Sequence, residues 1–489
     1  MDLRKNLIAV SVIAASTTLA GCGDSDDVSS NDNNTDNSVT AQGRITGFGS
    51  IYVSGVRYDT SDANFIVDGQ PGNESDLELG KLVTVTGTAT NNEGIATSVY
   101  FDDDVDGIIS EVSLNQKGVG TIKVMGKEVT VDENTLIEFY TTAINTLDEA
   151  IYNTSTGVQY IAEVSGYSNG LGNVHASRIE IKSFDPLVHQ LEIKGYVTDL
   201  SESTNSFMIG EMNIVYGNTT IFDDMTSATL ENGLHVEAKG LSFDAQGSLI
   251  ADEIENETSS GILSGNSDDE YEIEGVVGTV SSESFTLNGL TVHYDQSTLG
   301  TNLLVENAIV EVDAYRDSQS RLFADEIERD ELDDDYHNGI ELKGVVQNYD
   351  LTNNTIEVMG NTFQITTSTM IKDEYSQIRY FSLSDISWTA GNHYVEIKAY
   401  HDNSGNLLVS KLKYQGISNN ETDELEGTLI VDQSGTNVMG IAVDFGSLTP
   451  PASGTRVEME GTYSSGVFTA TSLEAEPVDI SSSNSNSSS

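Results

Sequence analysis

The segment from Tyr271 to Glu328 contains the pattern that decides the fold. It opens with YEIEGVV (271–277), in which apolar and charged residues alternate up to a glycine. The next part, FTLNGLTV (285–292), places two short runs around Asn288-Gly289, which is the signature of a two-stranded hairpin. Two more alternating runs follow an irregular segment, IVEVDA (309–314) and LFADEI (322–327). Alternation with a period of two predicts five strands, each with one buried face.

The same pattern recurs about six times along the 489 residues. Each copy has a first strand marked by a glycine, a hairpin that turns on glycine, and later strands that alternate apolar and polar residues. The first-strand glycines lie 64 to 88 residues apart, whereas solenoid repeats span about 20–50 residues. Units of this length can close small cores of their own, so the sequence predicts separate domains on a string. The six glycines are Gly43, Gly107, Gly195, Gly275, Gly344 and Gly427.

The fold class predicted from this pattern is all-β, with about six tandem small five-stranded barrels. The oligonucleotide/oligosaccharide-binding (OB) architecture is a partly open five-stranded barrel of this kind. Closing the sheet also removes edges that would otherwise pair between domains. Small β-sandwiches are the alternative. Two variable segments, Thr141–Tyr152 and Glu374–Phe381, are expected to be helical.

The same reading divides the chain into domains. Residues 1–21 are expected to be a signal peptide, 22–41 a disordered tether and 479–489 a disordered tail. Tether and tail are rich in Asp, Asn and Ser and contain too few apolar residues to form a core. The expected barrel domains span 42–105, 106–184, 190–258, 271–329, 339–416 and 423–478.

The N-terminus has the features of a secretory signal. Arg4 and Lys5 precede an apolar run that is too short to span a bilayer as a helix. Cys22 is the only cysteine in the chain, and Leu19–Cys22 resembles the bacterial lipobox, in which the cysteine becomes the lipidated first residue of the mature protein. We therefore expect a membrane anchor on Cys22 and no intramolecular disulfide. Gly23 in the next position is compatible, by analogy, with sorting to the outer membrane.

The charge of the chain is strongly acidic. It has 22 Lys and Arg against 78 Asp and Glu, a formal net charge of −56. Nucleic-acid binding depends on Lys and Arg that neutralise phosphates, so the composition argues against a nucleic-acid partner. It also argues against docking on anionic lipid through a basic face. A soluble, self-repelling surface explains the charge, and recruitment of divalent cations is the alternative.

The repeat resembles the bacterial family called domain of unknown function 5666, which occurs in tandem in secreted lipoproteins. The similarity is expected to be closest in Gly43–Val105, where GRITGFGSI (43–51) opens the unit and DDDVDG (102–107) leads out of it. It is expected to fade in the later copies. The resemblance implies an envelope location and tandem barrels. The family has no assigned activity, so the resemblance transfers no functional residue.

Acidic runs at the domain junctions are the candidate metal ligands. Asp102, Asp104 and Asp106, followed by a glycine, match the first half of a calcium loop. The twelfth position of such a loop is a bidentate glutamate, but here it is Ser113, and a strand is expected to follow. A solvated linker is the alternative interpretation. Similar runs lie at other junctions, at 268–270 and 330–335.

Three further sequence features concern ligand-binding, catalytic or metal sites. Trp388, the only tryptophan, is the candidate exposed contact for a ligand such as a sugar. The string Gly166–Gly170 fits G-x-S-x-G, but it lies between two expected strands, where Ser-Asn-Gly makes a turn and not the strand–turn–helix of a hydrolase. The seven histidines show no metal-ligand spacing.

Together these observations predict a non-enzymatic, lipid-anchored protein of the bacterial cell envelope with a scaffold, adhesion or binding role. Its expected place is the periplasmic or outer face of the outer membrane. A module that binds polysaccharide, another envelope polymer or a protein partner is one alternative, and a calcium-stiffened surface stalk is another. An enzyme is least favoured, because the sequence offers no converging set of titratable residues. Calcium is the one cofactor under consideration.

The calcium hypothesis predicts a thermal shift. A cation that binds the folded state alone stabilises it. The soluble fragment from Gly23 onward should therefore melt several degrees higher in millimolar calcium than in EDTA, as followed by circular dichroism. The shift should vanish when Asp102, Asp104 and Asp106 are changed to asparagine. Equal melting temperatures in both solutions would leave these residues a role in solvation alone.

Overall fold

The computed structural model describes residues 37–90, 93–151, 160–169, 172–185, 187, 189–257, 270–329, 340–366, 369–377, 381–388, 392–401, 405–417, 422–432 and 435–475. The signal peptide, Cys22, most of the tether, the acidic run at 330–335 and the tail lie outside these residues, as does the run at 268–270 except Glu270. No helix within the described ranges is long and apolar enough to cross a membrane.

The regular secondary structure of the described chain is almost entirely β-strand, arranged in six successive repeats. Repeat 1 contains β1 (Asn37–Arg44), β2 (Gly47–Phe48), β3 (Ile51–Val53), β4 (Val56–Asp59), β5 (Asn64–Val67), β6 (Gln70–Gly72), β7 (Leu82–Thr90) and β8 (Glu93–Phe101). Repeat 2 contains β9 (Val105–Leu114), β10 (Gly120–Val124), β11 (Lys127–Val131), β12 (Leu136–Phe139), the helix α1 (Leu147–Ala150), β13 (Tyr160–Ser168) and β14 (Val174–Ser183). Repeat 3 contains β15 (Leu191–Ser201), β16 (Ser206–Ile209), β17 (Met212–Val215), β18 (Ile221–Asp223), β19 (His235–Gly240), β20 (Ser242–Phe243), β21 (Leu249–Ile250) and β22 (Glu253–Asn256).

Repeats 4 to 6 have five or six strands each. Repeat 4 contains β23 (Glu270–Val280), β24 (Ser284–Leu287), β25 (Leu290–His293), β26 (Ile309–Arg316) and β27 (Leu322–Arg329). Repeat 5 contains β28 (Ile340–Asp350), β29 (Thr355–Val358), β30 (Asn361–Gln364), β31 (Met370–Asp373), β32 (His393–His401) and β33 (Leu407–Ile417). Repeat 6 contains β34 (Asp423–Asp432), β35 (Gly435–Val438), β36 (Ile441–Asp444), β37 (Arg456–Ser464), β38 (Val467–Ala470) and β39 (Glu474–Ala475). Short 3-10 turns span Glu74–Asp76, Thr301–Leu303 and Leu383–Asp385.

Repeat 4 shows how the alternating pattern closes a barrel. β23 pairs with β24, β24 with β25, β25 with β27, β27 with β26, and β26 again with β23. Asn288 and Gly289 join β24 to β25 with φ of 47° and 80°, the positive values that a tight hairpin turn requires. Ile273 and Phe285 point inward and are at most 1% exposed. Repeats 2, 5 and 6 close through the same strand order, so the expectation of tandem OB-like barrels is confirmed.

The glycine of the first strand lets the hairpin cross that strand closely. A Cβ on Gly107 would lie 2.0 Å from Cγ of Met125, on the hairpin of the same repeat. A Cβ on Gly195 would lie 2.6 Å from Cγ2 of Ile209, again on the hairpin. A larger residue at either position would therefore push the hairpin off the barrel.

First strands also pair between repeats, and here the structure differs from separate domains on a string. β9 pairs antiparallel with β15, β28 pairs antiparallel with β34, and β1 pairs parallel with β23 across more than 200 residues of chain. Repeats 2 and 3 share one apolar core, and repeats 5 and 6 share another. The physical reason is that the hairpin of a repeat covers only the C-terminal half of its first strand, as in β9. One edge of the N-terminal half is left free within the repeat, and the first strand of another repeat covers it.

The expected helices are mostly absent. In the first segment, α1 covers Leu147–Ala150 alone among the described residues. The expectation of a helix at Glu374–Phe381 is wrong for its described part. There Oδ1 of Asp373 accepts the backbone N–H of Tyr375 at 3.0 Å and of Ser376 at 2.8 Å, as an N-cap does. The N–H of Gln377 donates to the carbonyl of Asp373 at 2.9 Å, but Gln377 has a left-handed φ of 56°, which ends the segment after this one turn.

Candidate functional site

A row of charged side chains crosses the sheet shared by repeats 2 and 3. Glu180 lies opposite Glu163, Glu163 opposite Asp106, Asp106 opposite Glu192, and Glu192 opposite Lys239. Strand alternation places these five residues, the charged row, on the polar face of each strand, where water is the usual neighbour. Contacts from repeat 1 bury much of the row instead.

Two basic residues, one from repeat 1 and one from repeat 2, neutralise part of the charged row. Nζ of Lys81, which belongs to repeat 1 and is 6% exposed, lies 2.9 Å from Glu163 and 3.6 Å from Glu180. Nε of Arg178 lies 2.7 Å from Glu180, and the same guanidinium contacts Glu78 of repeat 1. Removing one partner of a buried ion pair leaves the other charge buried and unpaired, which lowers the stability of the fold by about 3–5 kcal/mol. These pairs therefore specify how repeat 1 sits on repeat 2.

Carboxylates outnumber cations in this region, and their pKa values rise. Burial and the neighbouring Asp102 raise the pKa of Asp68 to about 6. Burial and Glu237 raise the pKa of Glu192 to about 9. Burial and Glu163 raise the pKa of Asp103 well above its usual range. Part of the acidic interface is therefore protonated near neutral pH.

A cavity of about 450 Å³ lies beside the charged row, where residues of repeats 1, 2, 3 and 4 meet. Sites for small ligands typically measure about 300–1,000 Å³. The cavity is therefore large enough for a small molecule. Its charged and titratable lining includes Asp102, Lys127, Lys194, His235, Glu255 and Glu257.

Lys194 lies among carboxylates. Within the described residues, Asp102, Glu237 and Glu257 form the one set of three side chains whose metal-binding oxygens all lie within 4.8 Å of one another. Lys194 contacts Asp102, and its Nζ lies 3.7 Å from Glu237. Nζ of Lys239 lies 2.7 Å from the same Glu237. Two ammonium groups thus supply the positive charge that a metal ion would otherwise bring.

Lys127 has a different environment. It is 3% exposed, and its ammonium donates a 3.1 Å hydrogen bond to the backbone carbonyl of Asp104. No carboxylate of the described chain forms an ion pair with it. Burial lowers the pKa of Lys127 to about 8; the carboxylate of Asp104 opposes this shift and Lys194 adds to it. Burial and the two lysines lower the pKa of His235 to about 4, so this imidazole is neutral beside the ring of Tyr196, 4.9 Å away.

The three aspartates predicted as a calcium loop lie in three different environments. Asp102 contacts Lys194, Oδ2 of Asp104 accepts the backbone N–H of Gly166 at 3.1 Å, and Asp106 belongs to the charged row. Their oxygens do not form a set within 4.8 Å, because β9 begins at Val105 and extends the chain. Calcium binding stays a prediction. The geometry groups Asp102 with Glu237 and Glu257 instead.

Trp388 packs on the core shared by repeats 5 and 6. Its indole N–H donates a 3.0 Å hydrogen bond to the carbonyl of Leu383. Its ring centre lies 4.6 Å from that of Tyr349 and 5.1 Å from that of His393. The residue is half-buried, and binding of a ligand to it stays a prediction.

The G-x-S-x-G string lies at a strand end, as expected. Gly166 and Ser168 belong to β13, and the N–H of Asn169 donates to the carbonyl of Asn173 at 3.0 Å, which makes the turn towards β14. Gly170 lies outside the described residues, as does His337. The one acidic set with metal-binding spacing in the described chain contains no histidine.

The lysines of the cavity and the charged row were missed by sequence reasoning. Lys194 and Lys239 occupy alternating strand positions, and alternation predicts that such side chains face water. A signal was present, because Lys and Arg number 22 in the whole chain and several of them fall within strands. A scarce basic residue in the strand of an acidic protein is a candidate for a buried ion pair.

Comparison with known families identifies the repeat. The family model described as "Domain of unknown function (DUF5666)" matches residues 106–180, 194–255, 274–328 and 343–413, which is more than half of the chain. The chain belongs to this family. Repeat 1 lies outside the matched ranges, so the expectation that the similarity is closest in Gly43–Val105 is wrong. Repeat 1 departs from the others in a first strand split into β1 and β2 and in the additional hairpin of β5 and β6.

Other comparisons add little. No curated protein matches the chain significantly. A solved structure described as "drosophila Unr CSD456" is 16% identical, with coverage of 46% of this chain and 97% of that chain and a TM-score of 0.12. At that TM-score the similarity carries no inference.

The raised carboxyl pKa values predict that stability falls as pH rises. A carboxyl with a raised pKa keeps its proton in the folded state after the unfolded chain has lost it, so folding weakens as pH rises towards the folded pKa. With folded pKa values of about 6 for Asp68 and about 9 for Glu192, the melting temperature should decline between about pH 5 and pH 8. Lys127, with a pKa of about 8, acts in the opposite sense above that range. His235, with a pKa of about 4, acts in the opposite sense up to about pH 6.5 and offsets one of the carboxyls in the lower part of the range.

Two variants separate the contribution of Glu192 from a general effect of pH on the melting temperature. Glu192→Gln removes one of the ionising groups and should flatten the decline. Glu231→Gln, at an exposed position of the same repeat, should leave it as in the wild type. A decline as steep in Glu192→Gln as in the wild type would contradict the assignment.

Proposed function

We propose that this member of the family is a non-enzymatic, lipid-anchored scaffold of the bacterial cell envelope, held in the outer membrane through Cys22. The observation that carries the proposal is the joining of the repeats by strand pairing, above all the parallel pairing of β1 with β23. A scaffold must keep its parts at fixed distances. Main-chain pairing between distant repeats supplies that rigidity, whereas flexible linkers would not.

Side chains reinforce the pairing. Oε2 of Glu274 in repeat 4 accepts the backbone N–H of Arg44 in repeat 1 at 2.9 Å, and Oε1 accepts the hydroxyl of Tyr167 in repeat 2. The Glu274 side chain is 4% exposed. One buried carboxylate therefore joins three repeats. Nζ of Lys372 in repeat 5 also donates a 2.6 Å hydrogen bond to Oδ1 of Asn134 in repeat 2.

The sequence supports the cellular location. The lipobox-like stretch ending at Cys22 supports a lipid anchor, and a charge of −56 favours a soluble body that repels its neighbours. The same charge disfavours a role on nucleic acid. A scaffold that holds repeated barrels at a membrane accounts for these features without a catalytic step.

Distance measurements between spin labels test the rigidity. Cys22→Ser leaves the chain without cysteine, and labels can then be placed at the exposed positions Ile95 in repeat 1 and Leu299 in repeat 4. The proposal predicts a narrow distance distribution. Ala41→Pro, in the centre of β1, removes a main-chain donor and should broaden it. A broad distribution without the proline would contradict a scaffold.

The same cysteine variant tests the anchor. The wild-type chain should fractionate with the outer membrane, and Cys22→Ser should be released into the soluble fraction because it lacks the acylated residue. Equal membrane association of the two would remove Cys22 as the anchor. That outcome would leave the rigidity result unaffected.

A further inference from the structure

The cavity between repeats 1 to 4 contains a buried ammonium group that the protein satisfies only in part. Lys127 lines the cavity, is 3% exposed, and donates one hydrogen bond, to the carbonyl of Asp104. An ammonium has three donors. Burying a charge without a charged partner is costly unless a ligand or another group supplies one.

Lys194, which lines the same cavity, has carboxylate partners. It contacts Asp102, and Glu237 lies 3.7 Å from its Nζ. Its charge is therefore balanced within the protein. Asp104 also lines the cavity and raises the pKa of Lys127, but among the described residues no carboxylate lies at ion-pair distance from its Nζ. Lys127 is therefore the group in this cavity that an incoming anion would pair with.

The remaining lining indicates what else the ligand carries. Glu255 and Glu257 present carboxylate oxygens, which accept hydrogen bonds from hydroxyl groups. Tyr100 and Tyr196 add aromatic surface to the lining. A ligand that satisfies all of these groups has one negative charge, several hydroxyls and an apolar face.

We propose that this cavity binds a small hydroxylated carboxylate of the uronic-acid class, with the ligand carboxylate paired to Lys127 and its hydroxyls donating to Glu255 and Glu257. The inference goes beyond the scaffold role and stands without it. It adds a small-molecule site at the point where four repeats meet. Such a site would be complete only when the repeats are assembled.

A carboxylate fits better than a phosphate or a metal ion. A phosphate dianion is usually held by arginine forks or by several backbone N–H groups, and the cavity lining contains no arginine. A metal ion would have to displace Lys194 from Asp102. One under-satisfied ammonium matches one singly charged group.

Isothermal titration calorimetry on the full-length chain tests the proposal. The probes are galacturonate and glucuronate, with galactose and inorganic phosphate as comparisons, at about 0.15 M salt to screen the acidic surface. We expect saturable binding of a uronate, and no binding of galactose or phosphate. Lys127→Met should weaken uronate binding about tenfold or more, since a hydrogen bond to a charged group contributes about 1.5–3 kcal/mol.

A matched variant controls for charge. Lys117→Met makes the same change at an exposed turn of the same repeat and should bind as the wild type does. Circular dichroism must show Lys127→Met to be folded. If Lys127→Met fails to fold, Lys127→Arg replaces it, and it should bind uronate with altered affinity because it keeps the charge and changes the reach. Unchanged affinity in a folded Lys127 variant, binding of phosphate equal to that of uronate, or no binding of either uronate would each overturn the proposal.

Discussion

The first strand of each repeat serves two structures at once, and this double use is the constraint on which the rest of the molecule depends. On one side it completes the barrel of its own repeat, with a glycine where the hairpin crosses, as at Gly107 against Met125. On the other side it pairs with the first strand of a second repeat, as β9 does with β15. A strand edge that would otherwise invite aggregation is thereby covered within the chain. Repeats 2 and 3 thereby share one apolar core, and repeats 5 and 6 share another.

The protonation and pairing of the buried charged residues follow from this arrangement. Because polar strand faces of repeats 2 and 3 are pressed against repeat 1, residues such as Glu163 and Glu180 lose contact with water and need Lys81 and Arg178 as partners. The shortage of basic residues leaves Asp103 and Glu192 to be protonated instead, since burial raises their pKa values. The cavity with Lys127 lies at the same junction. Assembly of the repeats therefore shapes both the electrostatics and the candidate binding site.

Local patterns were readable from the sequence, and long-range pairing was not. The hairpin at Asn288-Gly289 and the alternating strands of repeat 4 follow from period-two patterning and turn chemistry. The pairing of Val39 with Glu270 has no local signal, because either edge of a strand can be covered by many partners. The same limit hid the site. Lys127 and Glu255 line one cavity because separate repeats pack together. Alternation alone predicts that such charged residues face water. The helix expected at Glu374–Phe381 ends after one turn for a local reason, because Gln377 has a left-handed backbone conformation.

The central claim is that repeats 2 and 3, like repeats 5 and 6, fold as pairs and not singly, and thermal unfolding of isolated segments tests it most directly. Residues 105–184, 190–258 and 105–258 would be prepared as three chains and melted under one condition. If the shared core and the β9–β15 pairing hold the repeats together, the two-repeat chain will unfold in one cooperative transition, at a temperature well above that of either single repeat. If each single repeat melts at the same temperature as the two-repeat chain, the repeats are independent domains and the account is contradicted.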